Sequence, residues 1–90
     1  MTASTTAATY RFTLQPGIAS TVLVPNANRD GFVVQNLGGV VFVKLAKYAS
    51  NTDFTFRLSS KTILEHCDYS GWVSAVADTT ASDILITELL

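Results

Sequence analysis

Cysteine is almost missing from this chain. Cys67 stands alone among 90 residues, so no internal disulfide can close and a disulfide-stapled secreted scaffold is excluded. A reducing cytoplasm is the compartment that this cysteine usage suits. Charge is also scarce, at 14% of residues against about 25% in ordinary globular domains. The six basic residues Arg11, Arg29, Lys44, Lys47, Arg57 and Lys61 are scattered and face seven acidic ones, giving a net charge of −1. Nucleic-acid binding needs a clustered positive field, so no nucleic-acid partner is expected. Long apolar runs are missing too. Stretches such as 40–43 fall far short of the roughly 20 residues that span a bilayer, and a soluble protein with no membrane partner is expected. Residues 1–8, Met-Thr-Ala-Ser-Thr-Thr-Ala-Ala, carry neither the positive start nor the leucine-rich centre of a signal peptide. They read as a flexible N-terminal arm ahead of a single domain at 9–90.

What the chain does have is short runs of β-branched and aromatic residues, with no window holding a 3.6-residue period. Eight strands are expected, at 9–14, 20–24, 32–36, 40–46, 54–59, 62–66, 72–77 and 84–89. The first alternates most cleanly, with Tyr10, Phe12 and Leu14 on one face and Thr9, Arg11 and Thr13 on the other. Gln15-Pro16-Gly17 ends it, because proline removes a donor and glycine accepts a positive φ. Phe32-Val33-Val34 and Val40 to Val43 are apolar in succession, which predicts strands covered on both faces. Asn36-Leu37-Gly38-Gly39 between them reads as a tight hairpin turn. Residues 25–31 are polar and long enough to cross between sheets, and 79–83 have room for one short helical turn. Eight strands with turns every 8 to 12 residues predict an all-β fold, a compact β-sandwich or jelly-roll-like barrel of antiparallel strands. Phe32, Val34, Val41 and Val43 are the expected core.

Candidate chemistry fails on count or on context. His66-Cys67-Asp68 invites a nucleophile or metal reading, but neighbours in a strand point to opposite faces, and a nucleophile must reach its base. Zinc takes three or four ligands, and one cysteine and one histidine are too few. Asp78 and Asp83 lack the dense acidic pattern of a calcium loop. Ser59, Ser60, Ser70, Ser74 and Ser82 supply hydroxyls for a triad but no nucleophile elbow. No catalytic residue, cofactor or metal is expected. Tyr48, Tyr69 and Trp72 could form a stacking platform for a sugar or peptide, although a Trp after glycine at a strand start is more often a core anchor or contact residue. A surface so poor in charge suits subunit contacts, and Tyr10, Arg29 and Trp72 are the partner-contact candidates, with Arg29 placed to pair with Asp30 or a partner carboxylate.

The run Arg29-Asp30-Gly31-Phe32-Val33-Val34-Gln35-Asn36-Leu37-Gly38-Gly39, followed by Val41-Phe42-Val43-Lys44, resembles small virion proteins of tailed bacteriophages. Tyr69 to Val76 and Ile84 to Glu88 are similar to the closing strands of such short β-sandwich proteins. The resemblance implies a capsid decoration, cement or head-fibre type of component that is assembled in the bacterial host cytoplasm and carried on the virion. Its implied partners are itself, as a dimer or trimer, and a major capsid protein or other virion component. The contrasting expectation is a carbohydrate- or receptor-binding β-sandwich module of a tail or surface protein.

Overall fold

Period-two alternation with frequent turn residues produces strands throughout. The computed structural model describes residues 6–90, the side chain of Cys67 excepted, and among these residues no helix forms. The strands are β1 (Ala7–Leu14), β2 (Ser20–Leu23), β3 (Gly31–Asn36) and β4 (Val41–Lys44). They continue with β5 (Phe56–Leu58), β6 (Ile63–Cys67), β7 (Val73–Ala77) and β8 (Ser82–Leu89). The number of strands is as expected, and no boundary shifts by more than two residues. Of the arm expected at 1–8, residues 1–5 lie outside the described residues. Thr6 to Ala8 are tied to the C-terminal strand, because Ala7 and Ala8 pair with Leu89 and Glu88 while Thr6 and Leu90 exchange backbone hydrogen bonds. The turn expected at 79–83 is a bend, and Ser82 already belongs to β8.

Two four-stranded sheets form, ordered β1-β8-β3-β6 in front and β2-β7-β4-β5 behind, and every named pairing is antiparallel. The chain changes sheet at every connection except the one from β4 to β5. This is the strand order of a jelly roll, in which consecutive strands face each other across the core rather than lying side by side.

That topology corrects the hairpin expected at Asn36 to Gly39. β3 and β4 lie in different sheets, and neither Gly38 nor Gly39 has a positive φ; Gly17 does, at 71°. Gly38 is required for closeness instead. A β-carbon there would run into the Oγ of Ser82 and come within 3.0 Å of that residue's backbone Cα. Asn36 replaces the missing turn bonds with its side chain. Its Nδ2 donates to the carbonyls of Gly39 (2.6 Å) and Ser59 (3.0 Å), and its Oδ1 accepts from the Gly38 N–H and the Ser82 hydroxyl, both at 3.1 Å.

One apolar core fills the space between the sheets. Phe32, Val34, Ile84 and Ile86 in front meet Val41, Val43, Val73 and Ala75 behind, and all eight are buried. The core expected at Phe32, Val34, Val41 and Val43 is therefore present. Coverage on both outer faces differs from expectation for β3, whose outward Gln35 is exposed and whose Val33 is half-buried. β4 is sealed as expected, and so is β7, all five of whose residues are buried. The cause is the segment 45–55, which folds back over the rear sheet. Ala49 donates its N–H to the Ser74 hydroxyl at 2.9 Å, and Phe54 packs on Phe42 with ring centroids 4.6 Å apart. Phe32 is wholly buried and is also met by the rings of His66 and Tyr69. Phe32→Ala is expected to cost about 3–5 kcal/mol, read as a lower urea midpoint at unchanged slope.

Candidate functional site

Alternation along β8 places Ser82, Ile84, Ile86 and Glu88 on the inward face. A carboxylate in that series needs a cation, and Arg29 supplies it. The Arg29 Nε donates to Glu88 Oε2 at 3.0 Å, with 0% of the arginine side chain and 11% of the glutamate side chain exposed. The remaining guanidinium nitrogens donate to the carbonyl of Gly71 (2.9 Å) and to that of Val24. The end of β2, the β6–β7 loop and β8 are thus tied to one side chain. Arg29 cannot be the surface contact expected of it, since its guanidinium is buried and bonded, and its acidic partner is Glu88 rather than Asp30. The backbone holds it there, with the Arg29 N–H on the Asn26 carbonyl and the Asn26 N–H on the Ser70 carbonyl.

Glu88 also forms part of a groove. Between β1 and β2, at the edge of the sandwich, lies a cavity of about 210 Å³ lined by Tyr10, Phe12, Val22, Leu23, Val24 and Glu88, with Thr21 at its side. Tyr10 is 45% exposed, and its hydroxyl donates to Glu88 Oε1 at 3.4 Å. The Glu88 charge is matched by Arg29, so the groove is apolar with a neutralised floor. It suits uncharged side chains. Tyr10 stands at this groove, whereas Trp72 is half-buried elsewhere, with the Lys47 ammonium 4.1 Å from its ring centroid. The three contact candidates therefore do not form one surface.

The other candidates separate in space. His66 points inward, with ring centroids 5.6 to 6.2 Å from those of Phe56, Phe32 and Tyr69. Asp68 is exposed in a left-handed turn at φ 59°. The backbone of Cys67 pairs with Gly31, and its side chain lies outside the described residues. Tyr69 donates its hydroxyl to the Trp72 carbonyl at 2.6 Å and Tyr48 is 76% exposed, so the proposed stacking trio includes one ring whose hydroxyl is already engaged in the fold. Asp78 lines a cavity of about 130 Å³ with Gly17, Ser50 and Asn51, while Asp83 is occupied by Arg11 and Thr13. Ser74 and Ser82 are buried and bonded in the fold. Among the described residues, no group of three or more acidic, histidine or cysteine side chains converges as a metal site would require.

Arg29–Glu88 is the polar contact that sequence reading missed. Its signal was Glu88 itself, a charge at the third inward position after Ile84 and Ile86, which must find a counter-ion if the strand is covered.

The two sheets and their crossing connections define an eight-stranded antiparallel β-sandwich with jelly-roll strand order. No protein-family model matches the chain, and no curated protein matches its sequence. A solved structure from work described as "Bacillus endospore appendages form a novel family of disulfide-linked pili" is similar in fold, with a TM-score of 0.57 over 94% of this chain and 86% of that chain. Identity between the two is 11%, so the likeness is one of fold.

Two measurements test these carboxylates and their partners. Glu88→Ala leaves a buried guanidinium without its counter-ion and is expected to cost about 3–5 kcal/mol in urea unfolding, while Arg29→Met with Glu88→Leu recovers most of that loss. A double variant as unstable as the single one would contradict the pairing. On the front face, the Thr13 hydroxyl and then Arg11 hold the Asp83 carboxyl below its ordinary 3.8. The stability it contributes is present above that value and disappears as pH falls through the lower folded midpoint. In a carboxyl NMR titration, Thr13→Val should move the Asp83 midpoint back up toward 3.8.

Proposed function

We propose that this chain is a non-enzymatic structural subunit that works by contact, in repeated copies, on a larger assembly. The observation that carries this reading is the unequal treatment of the two sheets. The centre of the rear sheet, β4 and β7, is covered by the chain's own segment 45–55, whereas no segment among the described residues covers the outer face of the front sheet. Its register sets Ile63, Gln35, Leu85 and Arg11 in one row and Glu65, Val33, Thr87 and Thr9 in the next. Ile63 is 61% exposed, and Glu65 and Arg11 are the only ionisable groups in those two rows. Rows with so little charge tolerate burial against another protein.

The setting we propose is the head of a tailed bacteriophage, where the protein acts as a capsid decoration or cement protein. The resemblance of 29–39, 41–44, 69–76 and 84–88 to small virion proteins supports it. Many modest contacts repeated around a shell add up through avidity, which suits a small domain without a deep site. The fold likeness to a structure from work on pili is compatible with a subunit built for assembly, although the assembly there is that protein's own. A carbohydrate-binding role has less support, because Lys47 occupies one face of Trp72 and the Tyr69 hydroxyl is used in the fold.

Native mass spectrometry is expected to find species heavier than the 9.7 kDa monomer, and co-sedimentation with empty phage heads is expected to bring the protein down with the shells. A strict monomer that stays in the supernatant would overturn the reading.

A further inference from the structure

We propose that the free edge of β1 is a homodimer contact at which a second copy adds its own β1 antiparallel, centred on Tyr10, joining the two front sheets into one of eight strands. This rests on the assembly reading above and names the contact that would serve it.

The first observation is that β1 is an edge strand without the usual protection. Among the described residues its one neighbour is β8, and the register from Ala7 to Leu14 is unbroken. Natural sheets blunt such edges with bulges, prolines, lysines or short length. The other three edges of this sandwich follow that practice. β2 has four residues and a register shift, β5 has three residues, and β6 has five, with Glu65 within it and Lys61 and Asp68 beside it. β1 has eight residues, no proline and no lysine, and its one charge, Arg11, is paired with Asp83 of the neighbouring β8.

The second observation is which backbone groups are free. Thr6 and Leu90 exchange both of their hydrogen bonds, which makes them a closely bonded pair of the ladder. Antiparallel ladders alternate, so Ala8, Tyr10, Phe12 and Leu14 bond toward β8, while Ala7, Thr9, Arg11 and Thr13 turn their N–H and C=O groups to the free edge. Ala7, Thr9, Arg11 and Thr13 are all exposed.

The third is the groove beneath this edge. Tyr10 and Phe12 line it from β1, and Val22, Leu23 and Val24 from the β2 side. Its floor is neutralised by the Arg29–Glu88 pair. Strand addition draws affinity from main-chain bonds and specificity from such a recess for alternate side chains.

Charge then selects the register. A dyad on Arg11 sets Arg11 against its own copy, and like charges directly opposite are unfavourable. A dyad on Thr9 leaves Thr13 without a partner in the strand. A dyad on Tyr10 pairs Ala7 with Thr13 and Thr9 with Arg11, twice each, so that all four free-edge residues are used. It also brings Tyr10 against its copy in a non-hydrogen-bonded position, where side chains approach most closely, and sets Phe12 beside the small Ala8. The contact is isologous and closes as a two-fold dimer.

Register-specific crosslinking tests this. In a Cys67→Ser background, Tyr10→Cys is expected to give a covalent dimer under mild oxidation, while Phe12→Cys and Thr9→Cys, which do not face themselves, remain mostly monomeric on denaturing gels. Separately, Thr9→Pro removes an N–H that the fold does not use and is expected to weaken self-association by about tenfold or more, with a circular dichroism spectrum like the parent's. A dimer that forms without the Tyr10→Cys crosslink, or that survives Thr9→Pro, overturns the β1 contact while leaving the assembly reading in place. A parent chain that is monomeric by mass but binds phage heads also overturns this dimer. A parent chain that neither self-associates nor binds heads removes both.

Discussion

Strand β8 is held at both ends by buried polar side chains, and the sandwich depends on that anchoring. At its start the Ser82 hydroxyl donates to Asn36, which also ties the β3–β4 and β5–β6 connections together. Near its end Glu88 receives Arg29, which gathers the end of β2 and the β6–β7 loop. β8 lies between β1 and β3, so a displacement at either end would carry two neighbouring pairings with it. A fold in which the chain changes sheet at nearly every connection has few local hairpins to hold it. Two long-range polar clusters, linking residues 59 and 46 positions apart in sequence, take over that role.

Strands were legible in the sequence because period two is a local property. The alternation of Tyr10, Phe12 and Leu14 against Thr9, Arg11 and Thr13 is visible within six residues, and turn residues interrupt it at short intervals. Sheet membership was not legible. Asn36-Leu37-Gly38-Gly39 has the composition of a hairpin turn, yet its glycine serves to let Ser82 approach from 44 residues further along the chain. A reading confined to the neighbourhood of Gly38 has no access to that contact. The same applies to Arg29. Its local sequence places it in a polar loop, where an arginine normally reaches solvent, and its burial follows only once Glu88 is known to face the core.

Coverage of the rear sheet shows the same division. Val40 to Val43 announce a strand apolar on both faces, and β4 is that. The apolar Val33 of β3 sends the same signal but faces outward next to Thr87 and Glu65. Segment 45–55 reaches Phe42 and Ser74 but belongs to the other side of the sandwich, so two similar apolar runs end in different environments. One loop, attached at the single connection that stays within a sheet, decides which face of the molecule is finished and which remains open.

The open face and the open edge belong to the same sheet, so the proposed assembly and the proposed dimer draw on one side of the sandwich. Edge strands without protection are an association hazard, and three of the four edges here are short, bulged or charged. Had the chain been shaped only to remain solitary, a lysine or proline in place of Thr9 would have closed the fourth edge without touching a backbone bond of the fold. The groove beside that edge points the same way. Its carboxylate is neutralised from inside by an arginine that reaches no solvent, so the groove's exposed lining is mainly apolar while the ion pair stays within the molecule. A single buried guanidinium thereby closes one end of the sandwich and sets the polarity of the groove beside β1.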